Sequence, residues 1–229
     1  MKKAKQFWVL PLIMGVILFS IYSCEKEEKS DPVTDADGNV YSTVSLGTQI
    51  WMAENLKTLK YQNGDLIGTT TPATLDITDM SSPKYQWAYG GSESNVTVYG
   101  RLYTLHAVTD SRNVCPVGWH LPTDIEWTTL TTYLGGASVA GGKLKETATT
   151  HWLSPNTGAT NEKNFTALPG GYRSQNGEFT GIGISGYWWS STENTTISSW
   201  NRTMSYGSSE VGRNGSYQGN GFAVRCVKD

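Results

Sequence analysis

The thiols Cys24, Cys115 and Cys226 and the imidazoles His106, His120 and His151 are the residues whose types could do chemistry. Zinc would want four ligands at short spacing, and the chain holds no CxxC or HxxxH, so no metal site is expected. The histidines are far apart in sequence and no Gly-x-Ser-x-Gly elbow occurs, so a Ser-His-Asp hydrolase is not expected. His120, beside Trp119, reads as a structural histidine. Asp35-Ala36-Asp37-Gly38-Asn39 starts like a calcium loop but lacks the downstream bidentate Glu, and reads as a turn between short strands. Glu193 and Asn194 are too few to hold calcium. No cofactor is expected. A net charge of −2, with no basic cluster, argues against a nucleic-acid partner.

Cys24 stands apart from the other two cysteines. Lys2, Lys3 and Lys5 precede an apolar stretch, Phe7 to Ile21, which has the anatomy of an export leader and is short for a permanent membrane span. Ile21-Tyr22-Ser23-Cys24 resembles the lipobox of bacterial lipoproteins, with Tyr22 and Ser23 departing from its small-residue preference. That resemblance implies acylation of Cys24 and a membrane partner through the lipid; more than one acyl chain is needed for stable anchoring. The expected division is a leader over 1–23, a charged tether over 24–33 and a domain over 34–229. Lys26-Glu27-Glu28 resembles the surface-export signal of lipoproteins in the Bacteroidetes group, which implies an outer-membrane, surface-exposed location; a solvated linker is the plainer reading.

With Cys24 set aside, Cys115 and Cys226 form an even pair in an oxidising compartment, and a disulfide is expected. A pair of reactive thiols is the alternative. Around Cys115, Thr123 and Glu126 read as a capping box opening a helix from Asp124 to Leu134, with Ile125, Trp127, Leu130 and Leu134 as its apolar face and Gly135-Gly136 as its stop. Further expectations are a hairpin of Val40–Val44 with Gln49–Met52, short helices near 82–88, 104–108 and 139–147, a hairpin turn at Asn176-Gly177, and strands over 186–193, 200–206 and 222–227. Val211 to Gly221 reads as a Gly/Asn-rich loop. High glycine and aromatic content without long apolar helical runs favours short strands and loops.

Six motifs occur in order: Ile50-Trp51-Met52-Ala53-Glu54-Asn55-Leu56, Tyr99-Gly100-Arg101-Leu102-Tyr103, Cys115 through Trp127, Leu168-Pro169-Gly170-Gly171-Tyr172-Arg173, Trp188-Trp189-Ser190-Ser191-Thr192-Glu193, and Gly221 through Lys228. Together they resemble the bacterial major paralogous domain family known as FISUMP, from about Thr34 to the C-terminus. The resemblance implies an α+β, C-type-lectin-like fold: a twisted antiparallel sheet, two helices and long irregular loops. It supports a fold more than a function. Formylglycine-generating enzymes share that broad fold and use paired reactive cysteines, which a Cys115–Cys226 disulfide would leave unavailable.

The function expected is therefore a binding module for a glycan or a protein, not an enzyme; a structural subunit of a surface assembly is the alternative. Trp and Tyr stack on sugar faces and anchor protein contacts at low entropic cost. The candidate ligand residues are Trp189, Glu193, Trp200, Arg202, Tyr206, Arg213 and Tyr217, with Glu210 and Asn214 in the same segment. Against this, Trp200 and Tyr206 also fit the buried face of a strand. Trp188 and Trp189 alternate along a strand, so one is expected inside and the other is free to be exposed.

Overall fold

The computed structural model describes residues 1–2 and 31–229. The expected leader, Cys24 and most of the tether lie outside the described residues. None of the described helices is long and apolar enough to cross a membrane.

The strands in chain order are β1 (Val33–Thr34), β2 (Val40–Tyr41), β3 (Thr43–Leu46), β4 (Gln49–Met52), β5 (Gln86–Trp87), β6 (Leu102–Tyr103), β7 (Trp119–His120), β8 (Gly170–Arg173), β9 (Phe179–Ile182), β10 (Ser185–Thr195), β11 (Ser198–Ser205), β12 (Gly212–Tyr217) and β13 (Val227–Lys228). The helices are α1 (Ser94–Tyr99), α2 (Leu105–Val108), α3 (Asp124–Tyr133) and α4 (Ala137–Leu144). A five-stranded sheet runs β12-β11-β10-β8-β9 and a four-stranded sheet runs β3-β4-β13-β7. The architecture is α+β: the described residues hold four short α-helices, where the family resemblance implied two and the local reading placed four stretches, of which the one near 82–88 is not helical. The larger sheet is not antiparallel throughout, because β8 and β10 pair in parallel.

β10 divides the core. Trp188 packs with Trp51, Trp127, Leu130, Phe165 and Met204 on one side. Trp189 packs with Tyr103, Phe222, Val224 and the cysteines on the other. Both indoles are fully buried, so the expectation that one was free to be exposed is corrected. Alternation does send them to opposite faces, but both faces of this central strand are covered.

Local signals in the chain built several elements. The capping box of α3 is complete: Glu126 N–H donates to Thr123 Oγ1, and Thr123 N–H donates to Glu126 Oε2. Trp127, Leu130 and Leu134 are buried, while Ile125 is 76% exposed. Ile125 sits two positions before Trp127, about 200° around the helix at 100° per residue, and so belongs to the outer face. The expected helix near 82–88 is instead β5, and α1 forms over residues for which no helix was expected. Residues 212–217 form β12 rather than loop, because register with β11 supplies hydrogen bonds that local propensity did not promise.

The disulfide joins Cys115 to Cys226 and so ties the segment before α3 to the C-terminal strand region. His120 adds a second tie, with Nδ1 2.6 Å from Asp229 Oδ1 and Nε2 2.8 Å from Glu126 Oε1. Burial lowers the imidazole pKa, but the hydrogen bonds to Asp229 and Glu126 outweigh it, and the net shift is upward. A raised native pKa stabilises the fold fully below the ordinary value of about 6.5 and loses that contribution as pH climbs through the native value. The Tm is therefore expected to fall as pH rises above about 6.5. His120→Gln is expected to flatten that slope, and an unchanged slope would remove His120 as its source.

Candidate functional site

Among the described residues, three cationic side chains are buried with no ion pair to a carboxylate, and each is met by loop carbonyls instead. Lys145 Nζ donates to the carbonyls of Thr157, Ser205 and Ser208 at 2.8–3.0 Å, and burial lowers its pKa to about 8. Arg225 donates to Asn55 Oδ1, Phe165 O and Thr166 O and stacks over the Phe165 ring at 4.1 Å. Arg173 donates to Ala73 O, Leu75 O and Ser174 O and lies 4.0 Å over the Trp87 ring. A loop-rich fold leaves many backbone carbonyls without ladder partners, and these clamps satisfy them.

The sequence motifs meet at the same joints. Asn55 Oδ1 accepts from Trp188 Nε1 at 2.8 Å and from Arg225, while Asn55 Nδ2 donates to Tyr99 O. Trp189 Nε1 donates to Tyr103 O, and Trp127 Nε1 to Trp189 O. Asn55, Tyr99, Tyr103, Trp127, Trp188, Trp189 and Arg225 come from five of the six motifs and are linked by these hydrogen bonds on the two sides of the core. Arg173, from the remaining motif, fixes a surface loop.

The candidate ligand residues divide between two sheet faces. Register places Trp200, Arg202, Arg213 and Tyr217 on one face of β11–β12. Glu193 lies opposite Ser199 on the other face and is exposed. Trp189 is in the core, and Arg202 is 2% exposed, held by Asp124 at 2.7 Å and by Thr128. Neither reaches solvent in the folded domain, which corrects their selection as ligand contacts: core packing takes the indole and a helix-terminal carboxylate takes the guanidinium. Arg213 also grips Asp124, and its guanidinium stands 3.3 Å from the centre of the Trp200 ring. Asp124 stays ionised: burial opposes this, but hydrogen bonds from Arg213 and Arg202 lower its pKa overall. One face of Trp200 is thus already occupied. Tyr217 is 53% exposed, and Tyr206 is half-buried against the core.

A second surface, which sequence reasoning missed, opens at the far edge of the same sheet. A depression of about 650 Å³ lies between Thr74 and the β8–β9 hairpin, lined by Thr74, Asn176, Gly177, Glu178, Phe179 and Thr180. The Thr74 wall is fixed from behind, since Arg173 holds the carbonyls of Ala73 and Leu75. The hairpin is held close because Gly177, at φ +98°, has no Cβ; one there would strike Thr74 O. Phe179 meets Tyr89 edge-on at 5.5 Å. The Asn176-Gly177 turn was legible in sequence, but the wall opposite it is about a hundred residues away.

Compared with known families, residues 44–228 match the model described as the Fibrobacter succinogenes major domain, the FISUMP domain expected from the motifs. The chain belongs to this family. No curated protein and no solved structure matches it. The family match spans both sheets, the disulfide and the three carbonyl clamps, so its motifs are accounted for by the joints of the fold. Among the described residues, no group of three or more His, Cys, Asp or Glu side chains is placed to hold a metal ion.

Proposed function

We propose that the chain is a lipid-anchored binding module of C-type-lectin-like fold. It is held at the bacterial outer membrane through Cys24 and presents its domain at the cell surface to a glycan or a protein. The observation that carries this reading is the groove between Thr74 and the β8–β9 hairpin, open to solvent and fixed from behind by Arg173. A groove whose walls are already set binds without a further ordering cost. The motif side chains, by contrast, are committed to core contacts, and both domain cysteines are committed to the disulfide, which favours recognition over cysteine chemistry.

The full chain in detergent is expected to bind either an oligosaccharide on an array or a defined surface protein in a pull-down. A chain that binds neither would favour a purely structural subunit. For the anchor, Cys24→Ala is expected to move the protein out of the detergent-rich phase. Retention equal to wild type would overturn lipidation at Cys24.

A further inference from the structure

We infer that the groove between Thr74 and the β8–β9 hairpin takes a neutral saccharide, an assignment that rests on the binding-module reading. The lining chemistry selects the class. Its six residues include no Lys, Arg or His, and Glu178 is exposed, so an anion would meet repulsion without compensation. The Arg173 guanidinium behind the wall is fully buried and committed to three carbonyls. A single carboxylate is far too few ligands for calcium.

What remains is one aromatic ring among an amide, a carboxylate and two hydroxyls. A pyranose presents this pattern in reverse, with an apolar C–H face for Phe179 and hydroxyls for Asn176, Glu178 and Thr74, while Thr180, which alternates with Phe179 along β9, borders the groove from the other face of the strand. The volume of about 650 Å³ falls within the usual range of small-ligand sites.

Two alternatives fit less well. A peptide adding as a strand needs an extended edge, but β9 is four residues long and Gly181 inside it has φ +85°. The Trp200 surface offers a larger ring, but Arg213 lies over it at 3.3 Å, whereas the cation nearest Phe179, Arg173, is 5.8 Å away.

The test is titration of the full chain in detergent with a panel of neutral oligosaccharides built from hexoses and pentoses. Wild type is expected to bind at least one. Phe179→Ala is expected to weaken it about tenfold, as the loss of one stacking contact would. Thr180→Arg alters an exposed residue, so its folding is not in question, and it is expected to abolish binding by filling the groove. Ile125→Ala, on the exposed outer face of α3, is expected to bind as wild type. If Thr180→Arg binds normally, the groove assignment falls. If no neutral sugar binds but a surface protein is captured, the saccharide inference fails while the binding-module reading stands. If nothing binds, both fail.

Discussion

Arg225→Met is expected to destabilise the domain by about 2–4 kcal/mol. The guanidinium is 1% exposed and stands between Asn55, the Phe165–Thr166 backbone and the Phe165 ring. Two effects oppose each other. Removing a buried charge relieves its desolvation, which is large enough to push the arginine pKa down to about 9. But methionine strands the buried Phe165 O and the part-buried Thr166 O without these donors, and each orphaned polar group costs about 1–3 kcal/mol, while Asn55 Oδ1 keeps its bond from Trp188. The stacking contact is lost as well. Because two acceptors and a ring contact are lost for one charge removed, the loss is expected to win. Thermal unfolding should show a Tm lower by roughly 10 °C for a domain of this size. A Tm equal to wild type would mean that the acceptors find other donors and that Arg225 is not a clamp.

Cleaving the Cys115–Cys226 disulfide is expected to cost about as much, by a different route. The two residues are 111 apart in sequence. In the chain-entropy model, a cross-link over a loop near that length is worth about 4–5 kcal/mol, chiefly by restricting the unfolded chain. A Cys115→Ala, Cys226→Ala double variant should unfold at markedly lower denaturant concentration than wild type. The native protein should present no free thiol from either residue. Two titratable thiols in the native domain would overturn the pairing and reopen cysteine chemistry. The effects of the two interventions should add less than fully, since Arg225 and Cys226 are adjacent and share one strand region.

These results bear on where function sits. Arg225 and the disulfide hold the C-terminal segment against the middle of the chain, while Arg173 does the same work for the 73–75 loop. The first two stabilise the fold. The third also sets the wall of a groove, so the same device that satisfies loop carbonyls shapes a surface.

Features that depend on neighbours in the chain were readable from it. Thr123 and Glu126 are three residues apart, and the capping box they form needs only a helix turn to exist. A hairpin ending in Gln49–Met52 was readable, but its first strand is Thr43–Leu46, and Val40–Tyr41 pairs with β1 instead. The cysteine pair followed from an even count once Cys24 was set aside. The order of the six motifs was enough to place the chain in its family.

Tertiary structure decided what lies on each side of those elements. Alternation placed Trp188 and Trp189 on opposite faces of β10, but whether a face is wet depends on what packs there, and segments far away in sequence cover both. Residues 212–217 became a strand because β11 lay beside them, against the local preference of Gly and Asn. Asp124 reads as an ordinary first-turn carboxylate, yet it takes two arginines about eighty residues further on. The groove has the same origin: its hairpin is local, but its second wall is brought in by an arginine reaching back about a hundred residues. Short-range sequence fixes backbone conformation because steric and hydrogen-bonding preferences act within a turn. Burial and binding surfaces depend on which distant segments meet, and only the closed chain settles that.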